Sequence, residues 1–126
     1  MPIVHITAPE SLDHQQLRGI ADGVHRALVT AVGIPEGDRF QLITTQARDA
    51  FLFDPEYLGV ARQDVVCIEI TLVAGRTDEM KQALYRHIAD NLAPVGVRRE
   101  DVFVVLTENR PSDWSVGNGD AQLLAR

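Results

Sequence analysis

The chain has 126 residues, 45% of them hydrophobic and 24% charged, with a formal net charge of −6. This describes one domain with its own core, helped by oligomerisation, and it excludes a disordered chain and a basic nucleic-acid footprint. No stretch approaches the ~18 consecutive apolar residues of a membrane span, no signal-peptide pattern opens the chain, and the single cysteine, Cys67, fits a reducing, cytoplasmic setting.

The chain opens Met1-Pro2-Ile3-Val4-His5-Ile6-Thr7, an apolar run that predicts a strand over Ile3 to Thr7. Proline in second position permits removal of Met1, which would make Pro2 a free secondary amine. An α-amino group titrates near ~8 when unperturbed. Burial or a nearby cation moves such an amine toward a base, and an acidic neighbour keeps it an acid. The same opening also fits an edge strand that tolerates proline at its start.

Asp13 followed by Gln16 predicts a capping box. A helix follows to Val32, with Leu17, Ile20, Ala21, Val24, Ala27, Leu28 and Ala31 recurring at three- and four-residue steps. Gly33 and Pro35 stop it. Arg39 to Thr45 (RFQLITT) alternates as a half-buried strand, and Ala50 to Phe53 predicts a short edge strand that Asp54-Pro55 breaks. Val65 to Val73 (VVCIEITLV) is a β-branched run suited to a central strand, in which Cys67 reads as an inert buried thiol. Thr77 caps a second helix, Asp78 and Glu79 favour its dipole, and Pro94 with Gly96 closes it. Val102 to Thr107 (VFVVLT) is the last strand. The remainder is turn-rich around Trp114 and predicts a C-terminal hairpin segment over 108–126.

The two halves match, over about 2–45 and 65–107. Gly96-Val97 repeats Gly33-Ile34, and Asp101-Val102-Phe103 repeats Asp38-Arg39-Phe40, 63 positions on. The pattern predicts a single α/β (α+β) domain over 1–126 built from a duplicated β-α-β unit. Right-handed crossovers make the strands of each unit parallel, so joining the units gives a four-stranded mixed sheet with two helices on one face. With no third helix to cover the other face, another subunit is expected there.

Several side chains have a chemical and a structural reading. Arg76, between the central strand and the second helix, is placed to fork onto a carboxylate or to sit in a turn. Asp38 is a carboxylate at a strand entrance or a turn residue, and its duplicate Asp101 supports the latter for one of them. His25, at the border of the first helix's apolar stripe, is a general base or a packing residue. Trp114 walls a small pocket or plugs an interface. The four histidines have no paired ligand spacing, so no metal is expected. No GxSxG, P-loop or GxGxxG motif is present.

Together these features resemble the tautomerase superfamily over essentially the whole chain, most of all its malonate semialdehyde decarboxylase group. The matching stretches are Val29-Thr30-Ala31, Asp38-Arg39-Phe40-Gln41, Gly75-Arg76-Thr77-Asp78-Glu79-Met80-Lys81, Glu108-Asn109 and Asp113-Trp114-Ser115. The resemblance implies a tautomerase-like fold assembled as a homotrimer, and a cofactor-independent enzyme acting on a small oxo-carboxylate. It implies Pro2 as the catalytic acid or base, Asp38 assisting it, Arg76 anchoring the substrate carboxylate, and Trp114 with Val116 on the apolar wall. His25 matches a helix histidine used in some relatives. This chain departs from the group at Ala74, where the group carries a second arginine, and at Val116, where it carries an aromatic. General keto–enol tautomerisation is therefore the first expectation. A decarboxylase or hydratase is the second, and a non-catalytic trimeric binding module the third.

Overall fold

The computed structural model describes residues 1–125. Its order is β1 (Pro2–Pro9), α1 (His14–Val32), β2 (Gln41–Gln46), β3 (Val66–Val73), α2 (Asp78–Leu92) and β4 (Val102–Asn109). The strands form one sheet in the order β2-β1-β3-β4. β1 runs parallel to β2, β3 runs parallel to β4, and the units join through the antiparallel β1–β3 pair. This is the duplicated β-α-β architecture with a mixed sheet that the repeat predicts.

Local chemistry sets the helix ends. Asp13 accepts from the Gln16 amide at 2.8 Å and the Gln16 side chain accepts from the Asp13 amide, completing the capping box. Thr77 accepts from the Met80 amide at 3.2 Å. Gly33 (φ +72°) and Gly96 (φ +97°) hold the left-handed turns after the two helical segments, where a Cβ would cost backbone energy.

Both helices pack on one face of the sheet. Val4, Ile6 and Ala8 of β1 and Val66, Ile68, Ile70 and Leu72 of β3 point at Ile20, Val24 and Leu28 of α1 and at Leu84, Ile88 and Leu92 of α2, all nearly inaccessible. Each of the valine, isoleucine and leucine side chains contributes roughly 1.5–3 kcal/mol by leaving water. The helices approach closely at Gly23, where an added Cβ would sit 2.8 Å from Leu92 Cδ1, and Asn91 Nδ2 donates to the Gly23 carbonyl at 3.0 Å. The opposite sheet face is open, with Ile3, Leu42, Phe103 and Val105 between 38% and 57% exposed.

Two predicted elements differ. Ala50 to Phe53 is not a strand: Arg48–Ala50 is a 3-10 turn, closed by Gln46 Nε2 donating to the Ala50 carbonyl at 3.0 Å. Phe51 and Phe53 still project together, as alternation implies, but no neighbouring strand pairs with them. The C-terminal segment forms 3-10 turns at Pro111–Asp113 and Gln122–Ala125 rather than a hairpin. Its bonds are local, such as Gln122 Nε2 to the Gly117 carbonyl at 2.6 Å; Arg126 lies outside the described residues.

The two ladders also align the halves residue by residue. Val4 pairs with Gln41 as Ile68 pairs with Val104. The interval between the halves is thus one residue longer in β1 and β3 than after the helices, because the second helical segment holds one residue fewer.

Candidate active site

The site forms where β1 begins and β3 ends. Antiparallel pairing sets Pro2 beside Leu72, so the chain that leaves β3 through Ala74 and Gly75 to Arg76 emerges at the amino terminus. β2 enters at the same end, held by the Val4 amide donating to the Phe40 carbonyl at 2.9 Å. β4 ends there as well, with Ala74 N–H donating to the Asn109 carbonyl at 2.8 Å. Four chain segments far apart in sequence therefore converge on one sheet edge.

A cleft of about 250 Å³ opens at this edge, lined by Met1, Pro2, Ile3, Phe40 and the segment Trp114 to Val116. Three of the sequence-predicted residues, Pro2, Trp114 and Val116, meet here. Trp114 is fixed by its indole N–H, which donates to Asn109 Oδ1 at 2.7 Å. An indole so tethered presents its ring as a rigid wall.

Asp38 stands behind the amino terminus. Its Oδ2 lies 3.4 Å from the terminal nitrogen, with both side chains largely shielded. Its Oδ1 is buried and has no hydrogen-bond partner among the described residues. A buried carboxylate oxygen without a donor is costly, so this arrangement favours a cation at the same spot.

Arg76 leaves the same end of the sheet without lining the cleft. Its Nη1 donates to the Val73 carbonyl at 3.0 Å, and no carboxylate of the described residues lies within 4 Å of it. Its neighbour cation Lys81 is already paired with Glu108 at 3.0 Å. Arg76 is therefore an uncommitted positive charge beside an apolar cleft.

His25 lies elsewhere. It is buried in α1, and its Nε2 is 2.8 Å from the Glu36 carbonyl, which ties the loop carrying Asp38 to the helix. It is not among the residues that line the cleft. Phe40 and Ile3 are wall residues that pattern reasoning missed. The signal for Phe40 was its repeat as Phe103, an apolar residue kept directly after the turn in both halves. Asn109 was also missed, because nothing local marks a strand-end asparagine as the anchor of an indole five residues on.

Two models of tautomerase enzymes match the chain, one over residues 2–61 and one over residues 38–117. The Bacillus subtilis (strain 168) protein named Probable tautomerase YusQ is 40% identical over 98% of this chain and 99% of its own. Among solved structures, the FG41 malonate semialdehyde decarboxylase inhibited by 3-bromopropiolate is 41% identical with a TM-score of 0.93, over 98% of this chain and 95% of that one. The fused 4-OT R7, solved as an asymmetric trimer, is 25% identical with a TM-score of 0.79, over 98% and 99% of the two chains.

Proposed function

The chain belongs to the tautomerase family, and from that membership we propose that it uses the Pro2 amine, freed by loss of Met1, as the acid/base of a cofactor-independent keto–enol tautomerisation of a small 2-oxo or 3-oxo carboxylate. The observation that carries this reading is the convergence of a shielded carboxylate, Asp38, and an apolar wall of Phe40, Trp114 and Val116 on the amino terminus. In the chain with Met1 attached, the Pro2 nitrogen is an amide and moves no proton.

In the mature chain the amine sits at the mouth of the cleft. Arg76 takes the substrate carboxylate through charge-assisted hydrogen bonds. The apolar wall excludes water around the reacting carbons, which strengthens those contacts. The neutral amine removes a proton from the enol oxygen or the α-carbon and returns it to the other atom. Asp38 stabilises the ammonium that forms in between.

A second reading is favoured by that same carboxylate and by the 41% identity to a malonate semialdehyde decarboxylase. A carboxylate beside the amine favours its cationic form. A resident ammonium would hydrogen-bond the carbonyl oxygen of a 3-oxo acid and stabilise the enolate left when carbon dioxide departs. Asp38 would then also orient water for hydration.

The open sheet face supports assembly as a homotrimer, which would cover Leu42 and Val105. No described helix is long and apolar enough to cross a membrane, and a single cysteine suits a reducing cytoplasm.

The test uses protein whose mass confirms loss of Met1. Ketonisation of enol substrates and carbon dioxide release from 3-oxo acids are measured for the parent and Pro2→Ala. Turnover should fall by about 10²-fold or more with the oligomer intact. Unchanged turnover would sink both readings, and the faster of the two reactions in the parent decides between them.

A further inference from the structure

The repeat that builds the fold also builds the cleft twice. Aligned by their ladders, the halves pair Met1 with Val65, Ile3 with Cys67 and Phe40 with Phe103. The segment Trp114 to Val116 follows the 3-10 turn Pro111–Asp113 as Phe51 to Phe53 follows the turn Arg48–Ala50. The first members of these pairs line the cleft at Pro2. The second members, Phe51, Leu52, Phe53, Val65, Cys67 and Phe103, line another cleft of about 300 Å³ at the opposite end of the sheet.

The chemistry of the two ends differs. The partner of Pro2 is Val66, whose nitrogen is a peptide inside β3, so this end has no amine. The partner of Arg76 is Leu12, since Thr77 and Asp13 are the aligned helix caps. The second cleft has a different cation. Arg62 lines it, and its Nη1 donates to the carbonyls of Tyr57 at 2.9 Å and Val60 at 3.2 Å. No carboxylate of the described residues lies within 4 Å of its guanidinium. Asp54 is the acidic residue of the lining, and its Oδ1 accepts from the Glu56 amide at 2.8 Å.

The walls are set in advance. Phe51 and Phe53 meet edge to face, with centroids 5.5 Å apart and planes at 79°. The Arg62 clamp spans Leu58, a non-glycine residue held at φ +56°, a conformation that persists only where surrounding bonds enforce it. A rigid aromatic floor with an unpaired planar cation at its edge fits a flat ring bearing a carboxylate.

We propose that this second cleft is a non-catalytic binding site for a small aromatic carboxylate, its ring against Phe51, Phe53 and Phe103 and its carboxylate on Arg62. The proposal stands on the repeat and on this lining and does not depend on the chemistry assigned to Pro2. In an assembly that follows the repeat's two-fold relation, the two clefts have equivalent surroundings at opposite ends.

The test is amide chemical-shift mapping of the full, isotope-labelled protein with phenylacetate, and with 2-phenylethanol as its neutral counterpart. Phenylacetate should give saturable shifts at Leu52, Phe53, Val65 and Cys67. The neutral probe should bind there about tenfold more weakly or worse, because a charge-assisted bond is lost. Phe53→Ala should remove these shifts without changing turnover at the Pro2 end. Shifts confined to Ile3, Phe40 and Ser115, or none at all, would overturn the site. Equal binding of the neutral probe would overturn the role of Arg62 and with it the carboxylate assignment.

Discussion

Asp38 reaches the terminal nitrogen of Met1 with Oδ2 at 3.4 Å, while its Oδ1 remains buried without a partner among the described residues. The pair fixes the electrostatics at the start of β1. Loss of Met1 would move the terminal charge one residue inward, to the Pro2 nitrogen.

Asp38→Asn should therefore lower turnover by roughly 10²-fold. The amide cannot stabilise an ammonium, so kcat should fall while KM changes little. A purely structural role would reduce the folded fraction and leave kcat per folded chain in place. Steady-state kinetics normalised to the folded fraction of parent and variant separate the two.

Arg76→Gln should raise KM for an oxo-carboxylate by about 10–100-fold, the worth of a charge-assisted contact. The fold should tolerate the change, because among the described residues the Arg76 side chain makes one hydrogen bond, to the Val73 carbonyl. Steady-state kinetics with a carboxylate substrate and its amide analogue provide the check: the analogue should lose little between parent and variant. An equal loss with both substrates would show that Arg76 does not read the carboxylate.

Phe40 is half-exposed in the chain, yet it lines the cleft. Phe40→Ala should cost little stability and raise KM for substrates with an apolar tail more than for the smallest oxo acids. Thermal denaturation beside a substrate-length series measures both. A loss independent of substrate length would remove Phe40 from the binding wall.

Burial pushes the Cys67 thiol up, and the negative charge of Glu69 adds to the effect. The thiolate fraction is lower than that of a free thiol at the same pH. Iodoacetamide should label Cys67 slowly near neutrality and faster only at more alkaline pH than a free thiol requires. Glu69→Gln should speed labelling by removing the charge. Labelling as fast as a small-molecule thiol at pH 8 would contradict the environment described.

Gly23→Val should destabilise the fold by about 1–3 kcal/mol, because the space opposite Gly23 is filled by Leu92 and Asn91. Chemical denaturation reads the cost. A neutral result would show that the two helices separate more easily than their packing indicates.

Much of this fold is legible along the chain because its causes are local. The Asp13–Gln16 box, the Thr77 cap and the Gly33 and Gly96 stops act within a few residues, and the apolar steps of both helices match their buried stripes. The two misread segments show the limit of pattern. Phe51 and Phe53 alternate as strand residues do, but a strand needs a neighbour, and the Gln46–Ala50 bond turns the chain away first. The C-terminal segment holds glycines at positive φ and closes on itself through Gln122, contacts that residue alternation does not encode.

The sequence by itself determined the duplicated β-α-β architecture and offered Pro2, Asp38 and Arg76 as candidates, because periodicity, caps and side-chain chemistry are properties of short stretches. Only the tertiary structure decided their company. The antiparallel β1–β3 pairing sets Pro2 beside Leu72 and so brings Arg76, Phe40 and the Asn109-anchored Trp114 to one edge, while the Glu36 carbonyl draws His25 away from it. Those outcomes depend on which distant strands pair and in what register, and that choice is made by burying one face of β1 and β3 beneath the two helices.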